Sequence, residues 1–319
     1  MRRTLISLVN VIVLLASLDV VFGDAGGKAG AFLRIPVGAR PAGMGNAFVA
    51  VANDANGLAY NPGAMFQINS IAFGGMYSRM SMDRKHYQAS LILANPRAGA
   101  LGIMLTNYGV SNIDGRDESG NQTSEFNDNE IALSLGYGRE LLPFLGIGGT
   151  VKYIQHSISD YKATGMGYDF GVLAAFKFGY SKANSFNVGV CATNLAGKLN
   201  WDTESAIEES IPYTLRSGVS LNLSFNNTTL VFSAEYDKTD QVNQVRREGG
   251  ELWINRAFAL RTGLNGKDLQ FGGSLRLGWL QLDYSYCPDI LDEGATSRIG
   301  IQLLAPEQNN STYPRGWGY

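Results

Sequence analysis

The 319-residue chain has two cysteines, two histidines and only 17% charged residues, and each shortage removes a class of protein. Two cysteines cannot build a disulfide framework. Cys191 and Cys287 fall in segments expected to lie far apart, as two inert thiols. His86 and His156 have no Ser/His/Asp arrangement or metal-ligand spacing around them, so no catalytic or metal site is read. His86, between Lys85 and Tyr87, reads as a strand-end residue. A formal net charge of −2 offers no cationic field for nucleic acid. Past the N-terminus no apolar run reaches the roughly 18 residues of a spanning helix. The reading is a non-enzyme with no cofactor.

The longest apolar run sits at the start. Arg2 and Arg3 precede the mostly apolar residues 5–21, and Val21-Phe22-Gly23 resembles a cleavage site. Residues 1–23 therefore read as a secretory signal. Asp19 and the shortness of the run argue against a retained anchor.

What the sequence has in abundance is glycine (39) and the pair tyrosine and phenylalanine (15 each), arranged with a period of two. Leu280, Leu282, Tyr284 and Tyr286 alternate with Gln281, Asp283 and Ser285, and Ile131, Leu133, Leu135 and Tyr137 with Ala132, Ser134 and Gly136. Such alternation marks strands with one apolar face and one polar or small face. Seven candidates are 70–79, 85–94, 98–107, 129–138, 144–156, 166–178 and 186–194. Seven more are 211–223, 228–237, 248–254, 256–265, 268–277, 279–287 and 296–304. Most reach the roughly nine to eleven residues of a tilted bilayer-crossing strand, where soluble strands average about five or six.

The connections alternate too. Those after every second strand are tight, as at 95–97, 139–143, 224–227, 255 and 278. The intervening ones include the long polar 108–128, 157–165, 195–210, 238–247 and 288–295. Long loops on one end and short turns on the other describe an outer-membrane barrel. Closure is a consequence of the solvent: lipid cannot satisfy the backbone groups of an open sheet edge. An even strand count places both termini on the periplasmic side.

A secreted sandwich gives the same alternation, and two features favour the barrel. Aromatics recur near the ends of the apolar face (Tyr77, Tyr87, Tyr153, Tyr168, Tyr213, Tyr236, Trp253, Trp279), as interfacial girdles do. The opposite face mixes glycines with charges: Lys152, Asp169, Lys177, Arg216, Glu235, Arg261, Arg276, Asp283 and Arg298. In a barrel all of these project into a polar lumen and pair across strands, with Arg216, Glu235, Arg261, Arg276, Asp283 and Arg298 as the expected network. The acidic stretch 114–130 lacks the fixed ligand spacing of an EF-hand and reads as a solvated external loop.

GMGNAFVAVANDANGLAYNPGAM (43–65) carries one charge, Asp54, in twenty-three positions. It lacks the third glycine and strand–helix–strand context of a dinucleotide loop. Its small residues suit close packing against a curved wall. Residues 53–57 form a turn, Asn61 caps the backbone just after it, and Pro62 opens a short helix. With Ala39-Arg40 before it, the stretch resembles the N-terminal signature of the FadL-type outer-membrane superfamily, and specifically its PorV/PorQ branch. The departures are Asn53 for an acid and Gly63-Ala64-Met65 for Ala-Gly-Leu. Residues 249–265 and 275–303 are similar to the closing strands of that family.

The resemblance implies an all-β, fourteen-stranded antiparallel transmembrane barrel in the bacterial outer membrane. Its N-terminal segment enters the lumen as a plug, the hatch, with Met44, Gly45, Ala47, Phe48, Asp54, Asn61 and Pro62 as the residues that seat it. The expected divisions are signal 1–23, hatch 24–69, barrel 70–304 and periplasmic tail 305–319. The branch implies a part in type IX secretion, binding exported cargo or other secretion components through the external loops. The wider superfamily implies passive uptake of a hydrophobic ligand held in the lumen and released by a shift of the hatch. Outer-membrane lipid is a partner in either case. Trp317 and Tyr319 in the polar tail are candidate docking residues.

Overall fold

The computed structural model describes residues 27–68, 70–179, 184–240, 242, 244–288 and 294–304. The expected signal 1–23 and the tail 305–319 lie outside the described residues. The first seven strands are β1 Ile71–Arg79, β2 Arg84–Asn95, β3 Gly99–Ile113, β4 Phe126–Leu142, β5 Leu145–Ile158, β6 Tyr161–Lys177 and β7 Ser185–Trp201. A three-residue β8, Glu208–Ser210, precedes β9 Thr214–Phe225, β10 Thr228–Thr239 and β11 Val245–Ile254. The last four are β12 Phe258–Asn265, β13 Asp268–Leu277, β14 Leu280–Pro288 and β15 Ala295–Leu304.

Each long strand pairs antiparallel with its neighbours, and β1 pairs with β15, Phe73 opposite Leu303 and Gly75 opposite Ile301. β7 pairs directly with β9, so fourteen strands close the wall while β8 only extends the end of β7. Closure leaves no unpaired edge. On β1, Ile71, Phe73 and Tyr77 are exposed while Ala72, Met76 and Ser78 are buried. On β4, Leu133, Leu135 and Tyr137 are exposed while Ala132 and Ser134 are buried. The apolar face therefore points outward and the polar face inward, the reverse of a soluble sandwich and the arrangement a bilayer requires. Among the described residues no helix is long and apolar enough to cross a membrane; the wall has strands for that.

All fourteen expected strands are present, and the differences lie at their far ends. β3 runs to Ile113, β4 starts at Phe126, β6 starts at Tyr161 and β7 runs to Trp201, so the connections 108–128, 157–165 and 195–210 are shorter than expected. Where a ladder rises above lipid, water wets both faces and the period-two hydrophobic signal fades although pairing continues. Trp253 is corrected outright. It lies inside, 8% exposed, because Gly249, Glu251 and Trp253 share the inward phase of β11. The other named girdle aromatics are exposed. Lys177, expected in the lumen, is exposed at the end of β6.

Residues 27–68 run through the lumen. Phe32, with Leu33 and Ile35 beside it, packs on Ala132, Ile154, Ala163 and Leu199, near the end that carries the long connections. The chain then passes α1 (Ala39–Gly43) and α2 (Gly57–Tyr60) to a 3-10 turn, Pro62–Gln67, against β4, β5 and β6 near the tight-turn end. β1 begins there. Leu304 lies at that end and residues 29–35 at the other; the two termini, expected at the tight-turn end, lie outside the described residues.

Candidate functional site

The site is the contact between this N-terminal segment and the inner wall. Small residues make it possible, because segment backbone and wall backbone nearly touch. A Cβ at Gly189 would stand 2.5 Å from the Val49 carbonyl oxygen, and one at Gly263 would overlap the Gly45 nitrogen. Gly45 is constrained twice. Its φ of 62° is left-handed, and a Cβ there would lie 2.5 Å from the Leu264 carbonyl oxygen. Met44, Ala47 and Phe48 are buried at 1% exposure or less.

Polar contacts fix the segment at several places along its length. Arg40 reaches the wall and donates to both oxygens of Glu251, each at 2.8 Å, a two-pronged pair. The same guanidinium holds Asp54 Oδ2 at 2.9 Å and Asn53 Oδ1 at 2.7 Å. Glu235 on β10 accepts from the backbone nitrogens of Phe48 and Val49, both at 2.7 Å. Asn61 donates to the carbonyls of Val49 (2.9 Å) and Val172 (3.0 Å) and accepts from Gly63, capping the 3-10 turn that Pro62 opens. Ser220 and Asn187 donate to the Ala50 carbonyl at 3.0 and 3.2 Å.

The expected wall residues divide into groups. Arg261 donates to Glu251 at 2.6 Å and to Ser274, and its other contact is Asp283 at 3.5 Å. Asp283 also accepts from Gln281 and Gln302, each at 2.9 Å, and Gln302 reaches Asp54 at 3.3 Å. Arg276 joins this group through Gln281 and stands 4.6 Å over the Trp253 ring. Arg216 belongs to a second group, 3.6 Å from Asp237 and 5.5 Å over the Tyr60 ring, with Arg247 between Asp237 and Glu235. Burial raises the Tyr60 phenol, which stays a neutral donor to the Val37 carbonyl at 2.9 Å. Arg298 joins neither group.

Sequence reasoning missed Arg40, Glu251, Asp237 and Arg247 as members. Arg40 was visible in the motif, and Glu251 and Asp237 in the inward phase of their strands. What the alternation does not carry is which inward charges meet. His86, the third residue of β2, stands near the strand's end as expected, with its side chain wholly buried on the inward face. His156 pairs with Asp128 at 2.8 Å. In the acidic loop Asp117 accepts from Ser119 and Asn121, a local turn, and among the described residues no carboxylate cluster fit for a metal occurs. Both cysteines are free and buried.

The segment leaves an inner cavity of about 50 Å³ beneath the long-connection end, lined by Phe32, Ile35, Leu58, Tyr60 and Met104 with Lys152, Arg216 and Arg247. That is room for about one or two waters. A larger apolar groove, about 570 Å³, lies on the outer wall between Tyr77, Tyr87, Leu105, Leu282, Ile299 and Ile301.

No family model and no curated protein matches the chain. Solved structures do. The toluene transporter TodX of Pseudomonas putida matches with a TM-score of 0.55 and 12% identity, over 83% of this chain and 96% of that one. The CymD monoaromatic hydrocarbon channel matches with a TM-score of 0.53 and 13% identity, over 84% and 96%. The chain is a closed fourteen-stranded antiparallel barrel similar in fold to TodX and CymD, with its N-terminal segment packed in the lumen.

Proposed function

We propose that this protein is a passive channel of the bacterial outer membrane for small hydrophobic molecules, held shut by residues 37–68 as a hatch. The observation that carries the reading is a barrel whose lumen is blocked by a segment of its own chain, seated through small residues and a few polar contacts. Such a segment can shift as a unit without breaking the wall's ladder. Likeness in fold to a toluene transporter and a monoaromatic hydrocarbon channel supports the ligand class. The apolar lining of the inner cavity, Phe32, Ile35 and Met104, is where such a molecule first meets the hatch. At about 50 Å³ that cavity is far below the roughly 300 Å³ of a small-molecule site, so entry requires the hatch to move.

A covalent lock tests this. Val49 Cγ1 lies 2.7 Å from where a Gly218 Cβ would stand. A Val49→Cys/Gly218→Cys disulfide, in a background with Cys191→Ala and Cys287→Ala, is expected to stop uptake of a fluorescent hydrophobic probe by cells. A reductant restores it. Uptake that ignores the lock counts against a hatch-gated channel.

The filled lumen also favours a second reading, the one implied by the PorV/PorQ resemblance. A barrel with no throughput would work from its rim, its external loops binding secreted cargo or secretion components. Co-purification from native membranes with proteins that share one C-terminal domain, with probe uptake at the level of cells lacking the barrel, identifies this case.

A further inference from the structure

We infer that the lumen wall holds a binding site for one small inorganic anion, formed by Arg298 with Ser78 and Ser285 on either side and bordered by His86. The strands concerned, β2, β1, β15 and β14, are consecutive in the wall. Register sets Ser78 opposite both His86 and Arg298, and Arg298 opposite Ser285. The four side chains make one row on the inner face, each 3% exposed or less. Both imidazole nitrogens, both hydroxyl oxygens and the Arg298 Nε are buried without a hydrogen-bond partner.

Charge makes this row different from the rest of the lumen. Arg40 and Arg261 share Glu251, and Arg216 faces Asp237. Among the described residues no carboxylate stands within ion-pair distance of Arg298, and Asp283, two positions from Ser285, is taken by Ser274, Gln281 and Gln302. Cys287 lies beside Arg298 and Ser285, and a thiol supplies a weak acceptor but no counter-charge. Water can satisfy the hydroxyls and the imidazole, yet it does not neutralise a buried guanidinium. An anion does both. It accepts from the arginine and from the serine on the strand to either side of it. The surrounding inward residues Met76, Gln88 and Thr296 are 5% exposed or less, so the row is enclosed and a small monovalent ion such as chloride or bromide is the occupant inferred.

The site does not depend on the gating reading. Full-length protein in detergent, exchanged into gluconate at fixed ionic strength, is titrated with bromide while its Tm is followed. A saturating rise in Tm is expected, since an ion bound only by the folded state stabilises by mass action. Crystals grown in bromide are expected to show anomalous density within roughly 3.5 Å of the Arg298 guanidinium. Arg298→Gln abolishes both signals. Ser78→Ala/Ser285→Ala keeps the charge and raises the midpoint about tenfold or more, one hydrogen bond to an ion being enough for that. Identical titrations in wild type and both variants, with no bromide density, overturn the proposal. So does a response that appears only after Asp289→Asn/Asp292→Asn/Glu293→Gln, because the chain's own carboxylates would then be the counter-charge.

Discussion

Arg40→Ala is expected to loosen the hatch without opening the wall. Arg40 is 7% exposed and is the only described link that joins Glu251 on the wall to Asp54 and Asn53 within the segment. Truncation leaves Glu251 with Arg261 as its remaining cation, and Asp54 with the Asn56 backbone N–H at 2.8 Å and the longer Gln302 contact but no counter-charge. Breaking one partner out of a buried ion pair costs about 3–5 kcal/mol, because the remaining charge loses its compensation. That cost falls on segment seating, because the wall group that Arg40 holds is the Glu251 side chain and not the backbone of the ladder. Hydrogen exchange in residues 40–54 should therefore accelerate by two orders of magnitude or more, with amides of β1 and β15 unchanged. Glu251→Gln alone should cost less, since a neutral amide still accepts from Arg40 and Arg261. The double variant should fall short of the sum, as coupled residues do. Equal acceleration across the strands would mean that Arg40 stabilises the barrel as a whole.

The wall was legible in the sequence because lipid demands a strict code. Each crossing strand must alternate, and the apolar half of each pair must face outward, so Leu133, Leu135 and Tyr137 could be assigned without coordinates. The code stops where lipid stops, and the upper parts of β3, β4, β6 and β7 escaped it for that reason. It also stops at aromatic residues with a cationic neighbour. Trp253 suits an interfacial girdle by composition, but Arg276 at 4.6 Å and Arg261 at 5.5 Å from its ring give an indole a place inside. The lumen was legible as a set of charges and illegible as pairs. Which inward arginine meets which carboxylate depends on strand register and on the path of residues 27–68, and neither leaves a periodic trace. Arg298 shows the point most sharply. From the sequence it looks like Arg261, yet Arg261 meets Glu251 while Arg298 sits in a row of hydroxyls and an imidazole.

Gly263→Val is expected to keep the hatch from seating at all. A Cβ at residue 263 would fall on the Gly45 nitrogen and the Met44 carbonyl carbon, and 2.6 Å from the Glu248 carbonyl oxygen. These are backbone atoms on both sides. No side-chain rotation relieves them, and the wall strand is held by β11 and β13. Gly45 cannot retreat either, because its own left-handed backbone is fitted between Leu264 and Glu248. The segment around Met44 must then leave the wall, and with it the Arg40 anchor four residues earlier. Within the wall the Glu248 carbonyl oxygen must also give way, a local shift in the β11–β12 ladder that leaves the other pairings of the barrel in place, so the barrel should still assemble. The expected results are normal heat-modifiable migration of the folded barrel, protease cleavage within residues 40–50 and a bilayer conductance well above that of the parent protein. Gly250→Val is the matched control: one strand away, the nearest atom to its Cβ would be the Thr262 carbonyl oxygen at 3.9 Å, ordinary contact distance. If both variants conduct alike, close backbone approach at Gly45 is not what closes the lumen.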